Sequence, residues 1–307
     1  MRLNGRRQSS NFDDRRGRRG GSGLKIGGGI GAVIIACIIA WMSGGNPLEV
    51  LMQNSGQLTS GSQYTSTYTP SAQEEQLATF SRQILAGTED VWTKLFAQQG
   101  LRYEPPTLVL YSGAVQSGCG NATSQTGPFY CSADQSVYID LSFFTDMKRT
   151  LGADGDFAYA YVIAHEVGHH VQYLLGTLDD AHSRMSRMSE AEANKISVAL
   201  ELQADYYAGV WAHHDNKMFG SLEDGDIEEA IDAAQKIGDD YLQKRAQGYS
   251  VPDSFTHGTS AQRSSALRDG LSSGRFPQSH PPRGFIAPYP IRRGITFVHD
   301  IFNVMHI

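Results

Sequence analysis

Cysteine is nearly absent from this chain of 307 residues, which contains three. That excludes a disulfide-dense secreted scaffold and leaves too few thiols for a four-cysteine zinc site. Proline is scarce, and five of the eleven (Pro277, Pro281, Pro282, Pro288 and Pro290) crowd into fourteen residues near the end. Positive charge is short everywhere except at the start. Residues 1–25 hold seven Arg and one Lys against Asp13 and Asp14, a local +6, so the formal net charge of -6 leaves -12 for the rest. An acidic body repels phosphate, which argues against nucleic acid as its main partner. No internal repeat is apparent.

Hydrophobic residues make up 40% of the chain, enough to bury a real core. An uncharged run rich in Ile, Val and Ala, residues 26–45, is about 20 residues, which at about 1.5 Å each matches a bilayer core of about 30 Å. Together with the basic residues before it, the run predicts one transmembrane helix, an N-terminus in the cytoplasm and a body on the other side of the inner membrane. No small-residue cleavage site follows, as a signal peptide would require. Cys37 falls in this run, leaving Cys119 and Cys131 as a pair around the polar "GNATSQTGPFY". Two thiols closing a short loop fit a disulfide in an oxidising compartment such as a bacterial periplasm, with two free thiols as the alternative.

Residues 46–72 are rich in Ser, Thr and Gly and read as a tether. Between 74 and 99, Leu77, Phe80, Ile84, Leu85, Val91, Trp92, Leu95 and Phe96 recur at three and four, predicting one or two amphipathic helices with Gly87 as a possible interruption. "TLVLYS" at 107–112 and "SVYIDLSFF" at 136–144 read as strands, with "PFYCS" a third. Helices are predicted over 157–175, from Ser189 to about 214, and over about 226–247. Strands first and helices second imply an α+β domain over 73–274. The proline-rich 275–307 reads as a poorly ordered tail.

The chemistry concentrates in "YVIAHEVGHHVQYLL". On a helix, His165 and His169 are about 400° apart and project from nearly one face, so two imidazoles can hold one Zn²⁺. Glu166, turned by about 100°, reaches the metal's water without having to ligate the metal. The flanking residues carry no charge, so Glu166 would otherwise be an unpaired buried acid.

The form of the motif with a third histidine is excluded, because Gln172 and Leu175 stand where Gly and His are needed. The third ligand is then a later acid. Glu190 and Glu192 sit in a first turn, where charge serves capping. Glu201, in the apolar "ALELQADYYAGVW", is the favoured candidate. Asp205, four residues on, can accept a hydrogen bond from a zinc histidine's other nitrogen. His170 is turned away and suits packing or a supporting hydrogen bond. His257 in "FTHGTS" is the candidate donor to a tetrahedral oxyanion. His213 and His214 end a helix and suit its dipole.

"HEVGH" followed by "ELQAD" resembles the H-E-x-x-H plus E-x-x-A-D pattern of gluzincin metallopeptidases. More closely, the layout resembles the bacterial family of putative neutral zinc metallopeptidases. The similarity extends over "YCSADQSVYIDLSFF", "ELQADYYAGVWAHH" and "FTHGTSAQR", from about residue 1 to about 270. It implies a zincin-like domain in which His165, His169 and Glu201 ligate zinc, Glu166 is the general base and Asp205 orients a ligand. The resulting expectation is a membrane-anchored zinc peptidase of neutral endopeptidase type, acting on envelope proteins or peptides. The alternative is a non-catalytic, zinc-stabilised scaffold of the same fold.

Overall fold

A computed structural model describes residues 1–17 and 68–276. The expected transmembrane run, most of the tether and nearly all of the proline-rich tail lie outside the described residues. The architecture is α+β. Four strands, β1 (Phe12–Asp14), β2 (Thr107–Tyr111), β5 (Phe129–Cys131) and β6 (Ser136–Asp140), form a mixed sheet in the order β1-β2-β6-β5. β1 and β6 run parallel to β2, while β5 pairs antiparallel with β6 in the register Phe129 to Tyr138. β2 and β6 are buried almost throughout, the pattern of central strands covered on both faces. A hairpin of β3 (Ala114–Ser117) and β4 (Gly120–Thr123) stands beside this sheet. A disulfide from Cys119 at the hairpin turn to Cys131 ties the hairpin to β5, with Cα atoms 5.7 Å apart.

The strand expected over 136–144 stops at Asp140, because the Asp140 carboxylate accepts from the backbone N–H groups of Gly113 and Ser142 and turns the chain into the short helix α2 (Ser142–Asp146). Helix α1 (Ala72–Gln98) is a single helix opened by a Ser71/Glu74 capping box. Gly87 does not interrupt it. A Cβ there would stand 2.8 Å from both the Arg6 guanidinium and the Asp215 carboxylate, so a larger residue would push that ion pair aside.

The remaining helices are α3 (Asp156–Leu174), α4 (Thr177–Met185), α5 (Glu190–Phe219), α6 (Asp226–Lys236), α7 (Asp239–Gln247) and α8 (Ser260–Ser273). The one helix expected over 226–247 is two, since Asp239 starts a new helix whose carboxylate accepts from the N–H groups of Thr256, His257 and Gly258. α3 and α5 cross at the centre, with Phe157 stacked on Trp211 and Trp92 of α1 set edge-on to Tyr207.

The basic head belongs to this body. β1 extends the sheet, and Arg6 places its guanidinium 2.7 Å from the fully buried Asp215 and over the Phe219 ring at 3.7 Å. Arg7 pairs with Glu89 and Asp90, and Arg16 with Asp14 and Glu75. The Met1 nitrogen lies 2.8–3.2 Å from Asp156, Glu223 and Asp226.

This arrangement corrects the expected membrane topology. Among the described residues no helix is long and apolar enough to cross a membrane. Head and body share one sheet, and a Cβ on Gly17 would fall 2.4 Å from the Tyr68 side chain. A single crossing between residues 17 and 68 would separate them by about 30 Å of hydrocarbon. A cytoplasmic head with the body on the far side is therefore incompatible with the fold.

Candidate metal centre

Helix α3 brings His165 and His169 onto one face, their rings 4.8 Å apart at 89°. Helix α5 crosses beneath and supplies Glu201 and Asp205. Gly168, between the two histidines, permits this crossing: a Cβ there would meet the Ala204 carbonyl oxygen at 2.9 Å and its Cα at 3.1 Å. Glu201 Oε2 lies 3.2 Å from His165 Nε2, and Glu201 Oε1 lies 3.5 Å from His169 Nε2. Ligand atoms of these three residues all fall within 4.8 Å of one another. Glu190 and Glu192 stay in the first turn of α5, where Glu192 completes the Ser189 capping box.

The outer nitrogens of both imidazoles are held by the protein. His165 Nδ1 is 2.8 Å from Asp205 Oδ1, and His169 Nδ1 is 2.9 Å from Gln172 Oε1. The Gln172 amide donates to the Leu200 carbonyl and to Gln203, which leaves its oxygen to accept from His169. Each ring is thereby assigned the tautomer protonated at Nδ1, with the Nε2 lone pair facing Glu201. Lone pairs facing carboxylate oxygens at these distances repel unless a cation lies between them.

The charges agree. Burial alone would favour a neutral imidazole, yet Asp205 and Glu201 pull the His165 pKa up to about 10. The Glu201 carboxyl, despite burial, is held well below the usual range by His257, His169 and His165. With both imidazoles neutral, as ligation requires, the carboxylates of Glu166, Glu201 and Asp205 against the guanidinium of Arg263 leave a deficit of two positive charges, which a divalent cation would fill. Two imidazole nitrogens and a carboxylate oxygen are a donor set that suits zinc with an open position.

Glu166 is 8% exposed and makes no hydrogen bond or ion pair among the described residues. Burial raises its pKa, while the neighbouring histidines oppose the rise. It opens with His165, His169 and Glu201 into a cavity of about 820 Å³, whose walls include Phe129, Tyr130, Phe143, Met147, Val162 and Leu178. His257 lines the same cavity from the turn organised by Asp239, with Nδ1 2.9 Å from Thr256 Oγ1.

His170 points away from the cavity floor, with Nδ1 2.9 Å from the Tyr130 hydroxyl and Nε2 2.6 Å from the Glu104 carbonyl. His213 and His214 hydrogen-bond the Leu271 and Gly274 carbonyls and pin the end of α8.

Three contributors were not found from the sequence. Tyr161 donates to Asp205 at 2.6 Å, Arg263 grips the same carboxylate at 2.8 and 3.0 Å, and Gln172 holds His169. Tyr161 stands four residues before His165 and so shares its helix face, a signal that was available. Arg263 had one weaker signal, as a charge in a segment of small residues.

A family described as "Putative neutral zinc metallopeptidase" matches residues 1–280. The Escherichia coli protein called uncharacterized protein YpfJ is 49% identical over 279 residues, which cover 89% of this chain and 96% of that protein. The Mycobacterium bovis protein called uncharacterized protein Mb2605 is 41% identical over 182 residues, 56% of this chain and 60% of that protein. No solved structure matches. A match over most of the chain, reaching from the basic head through Arg263, places this protein in the family of putative neutral zinc metallopeptidases.

Proposed function

We propose that the chain is a zinc-dependent peptidase that hydrolyses bonds in proteins or peptides. The observation carrying this reading is the convergence of two Nε2 lone pairs and the Glu201 carboxylate, with Glu166 beside them free of any partner. A scaffold would need the first three groups but has no use for a buried, unpaired acid, which is costly to keep.

Zinc held by His165, His169 and Glu201 supplies a Lewis acid that lowers the pKa of a water toward about 7. Glu166, with its pKa raised by burial, is suited to take a proton from water and return it to the departing amine. Asp205 and Gln172 keep the two imidazoles in the tautomer that ligation needs. His257, facing the same cavity, is the candidate donor to the developing oxyanion. An extended substrate cannot lie against β6, which sits between β2 and β5; among the described residues β5 is one of the sheet's two edge strands, and its Phe129 and Tyr130 border the cavity.

The test is Glu166→Gln. We expect about one zinc per chain in both forms and peptide-library cleavage only in the wild type, with a loss of at least about 100-fold in the variant. Full activity in the variant would refute the assignment.

A further inference from the structure

Arg263 is buried, 3% exposed, on the helix α8 that lies along α5. Its guanidinium closes as a fork on one carboxylate: Nε lies 2.8 Å from Asp205 Oδ2 and Nη2 lies 3.0 Å from Asp205 Oδ1. Nη2 is also 3.4 Å from the Tyr161 hydroxyl, 3.4 Å from His165 Nδ1 and 3.9 Å from Glu201 Oε2.

Two donor contacts in one plane fix the rotation of a carboxylate, which a single contact does not. With its plane fixed, Asp205 Oδ1 faces His165 Nδ1 at 2.8 Å, and the opposite ring nitrogen faces Glu201. Tyr161 donates to the same Oδ1, so Oδ1 receives three donors and Oδ2 is held by Arg263.

We propose that Arg263 is a positioning residue of the metal centre, acting on His165 through Asp205. This rests on the zinc reading above and extends it. The guanidinium has no need to touch metal or substrate. It holds the acceptor that sets the direction and tautomer of one ligand, and it offsets a buried carboxylate that would otherwise stand uncompensated beside Glu201.

The experiment is zinc affinity by competition with a chromogenic chelator, measured on the full chain and on Arg263→Gln, Arg263→Lys, Asp205→Asn and the double variant Asp205→Asn/Arg263→Gln, with circular dichroism on each. Arg263→Gln should bind zinc about 10- to 100-fold more weakly. Arg263→Lys, which returns the charge without the fork, should recover part of that loss. Asp205→Asn/Arg263→Gln should be no weaker than Asp205→Asn alone, because the route through Asp205 is already broken.

A folded Arg263→Gln with wild-type affinity, complete recovery by lysine, or losses that multiply in the double variant would each overturn the proposal. Should Arg263→Gln fail to fold, Arg263→Lys decides, and wild-type affinity there overturns it equally. A wild-type chain that binds no zinc would overturn the peptidase reading itself, and this inference with it.

Discussion

Acid should weaken the fold through His170, a residue outside the metal centre. Its ring is fully buried between Tyr103 and Tyr130, at centroid distances of 5.8 and 5.3 Å. With Nε2 donating to the Glu104 carbonyl and Nδ1 accepting from the Tyr130 hydroxyl, the neutral imidazole is satisfied at both nitrogens. A second proton would enter a setting where no carboxylate is within hydrogen-bonding reach. Burial accordingly pulls the His170 pKa from 6.5 down to about 4, against a small opposing pull from the Glu104 carbonyl. Because the folded pKa is depressed, the unfolded chain binds the proton first as pH falls. The neutral pair's contribution is fully present above about pH 6.5 and is lost toward about pH 4. The whole displacement corresponds to about 3 kcal/mol, of which about 2 kcal/mol is lost by about pH 5. The assay is urea unfolding of the chelated protein and of His170→Gln at about pH 7.5 and about pH 5. The wild type should lose about 2 kcal/mol more than the variant over that interval. Equal losses would refute the neutral, doubly bonded histidine.

Two further predictions concern close packing. Gly168→Ala would improve an exposed helix by about 1 kcal/mol, but here the methyl group meets the Ala204 backbone at 2.9 Å. We expect instead a loss of about 1–3 kcal/mol from overpacking, seen as a lower melting temperature, with weaker zinc binding as α3 is pushed off α5. An unchanged or higher melting temperature would contradict the crossing geometry. Arg6→Ala leaves the fully buried Asp215 without the guanidinium that neutralises it, which should cost about 3–5 kcal/mol in urea unfolding. A change below about 1 kcal/mol would mean that the head does not dock on the body.

What the sequence revealed and what it concealed divide by distance along the chain. His165, Glu166 and His169 were legible because helical spacing alone sets which side chains meet, and Glu201 with Asp205 because an acid inside an apolar helical stretch calls for a partner. The capping box at Ser189 marks a helix start by the same local logic. Arg263 lies 58 residues beyond Asp205, and Arg6 lies 209 residues before Asp215, so neither pairing leaves a periodic trace. β1 is three residues long, too short for alternation to register. The Gly87 notch reads in sequence as a weak point in a helix, because the arginine it admits comes from the far end of the chain.

The basic head is where composition misled most. Clustered arginines before an apolar run satisfy the charge rule for a cytoplasmic flank, and that rule counts charges without asking what they pair with. In the fold, Arg6, Arg7 and Arg16 are consumed one by one by Asp215, Glu89, Asp90, Asp14 and Glu75. The acidity of the body has the same cause seen from the other side, since part of it exists to receive the head. Asp215 lies on α5, the helix that also carries Glu201 and Asp205, and the Met1 nitrogen meets Asp156, the first residue of the helix that carries His165 and His169. The head therefore braces the two helices whose crossing builds the candidate metal centre.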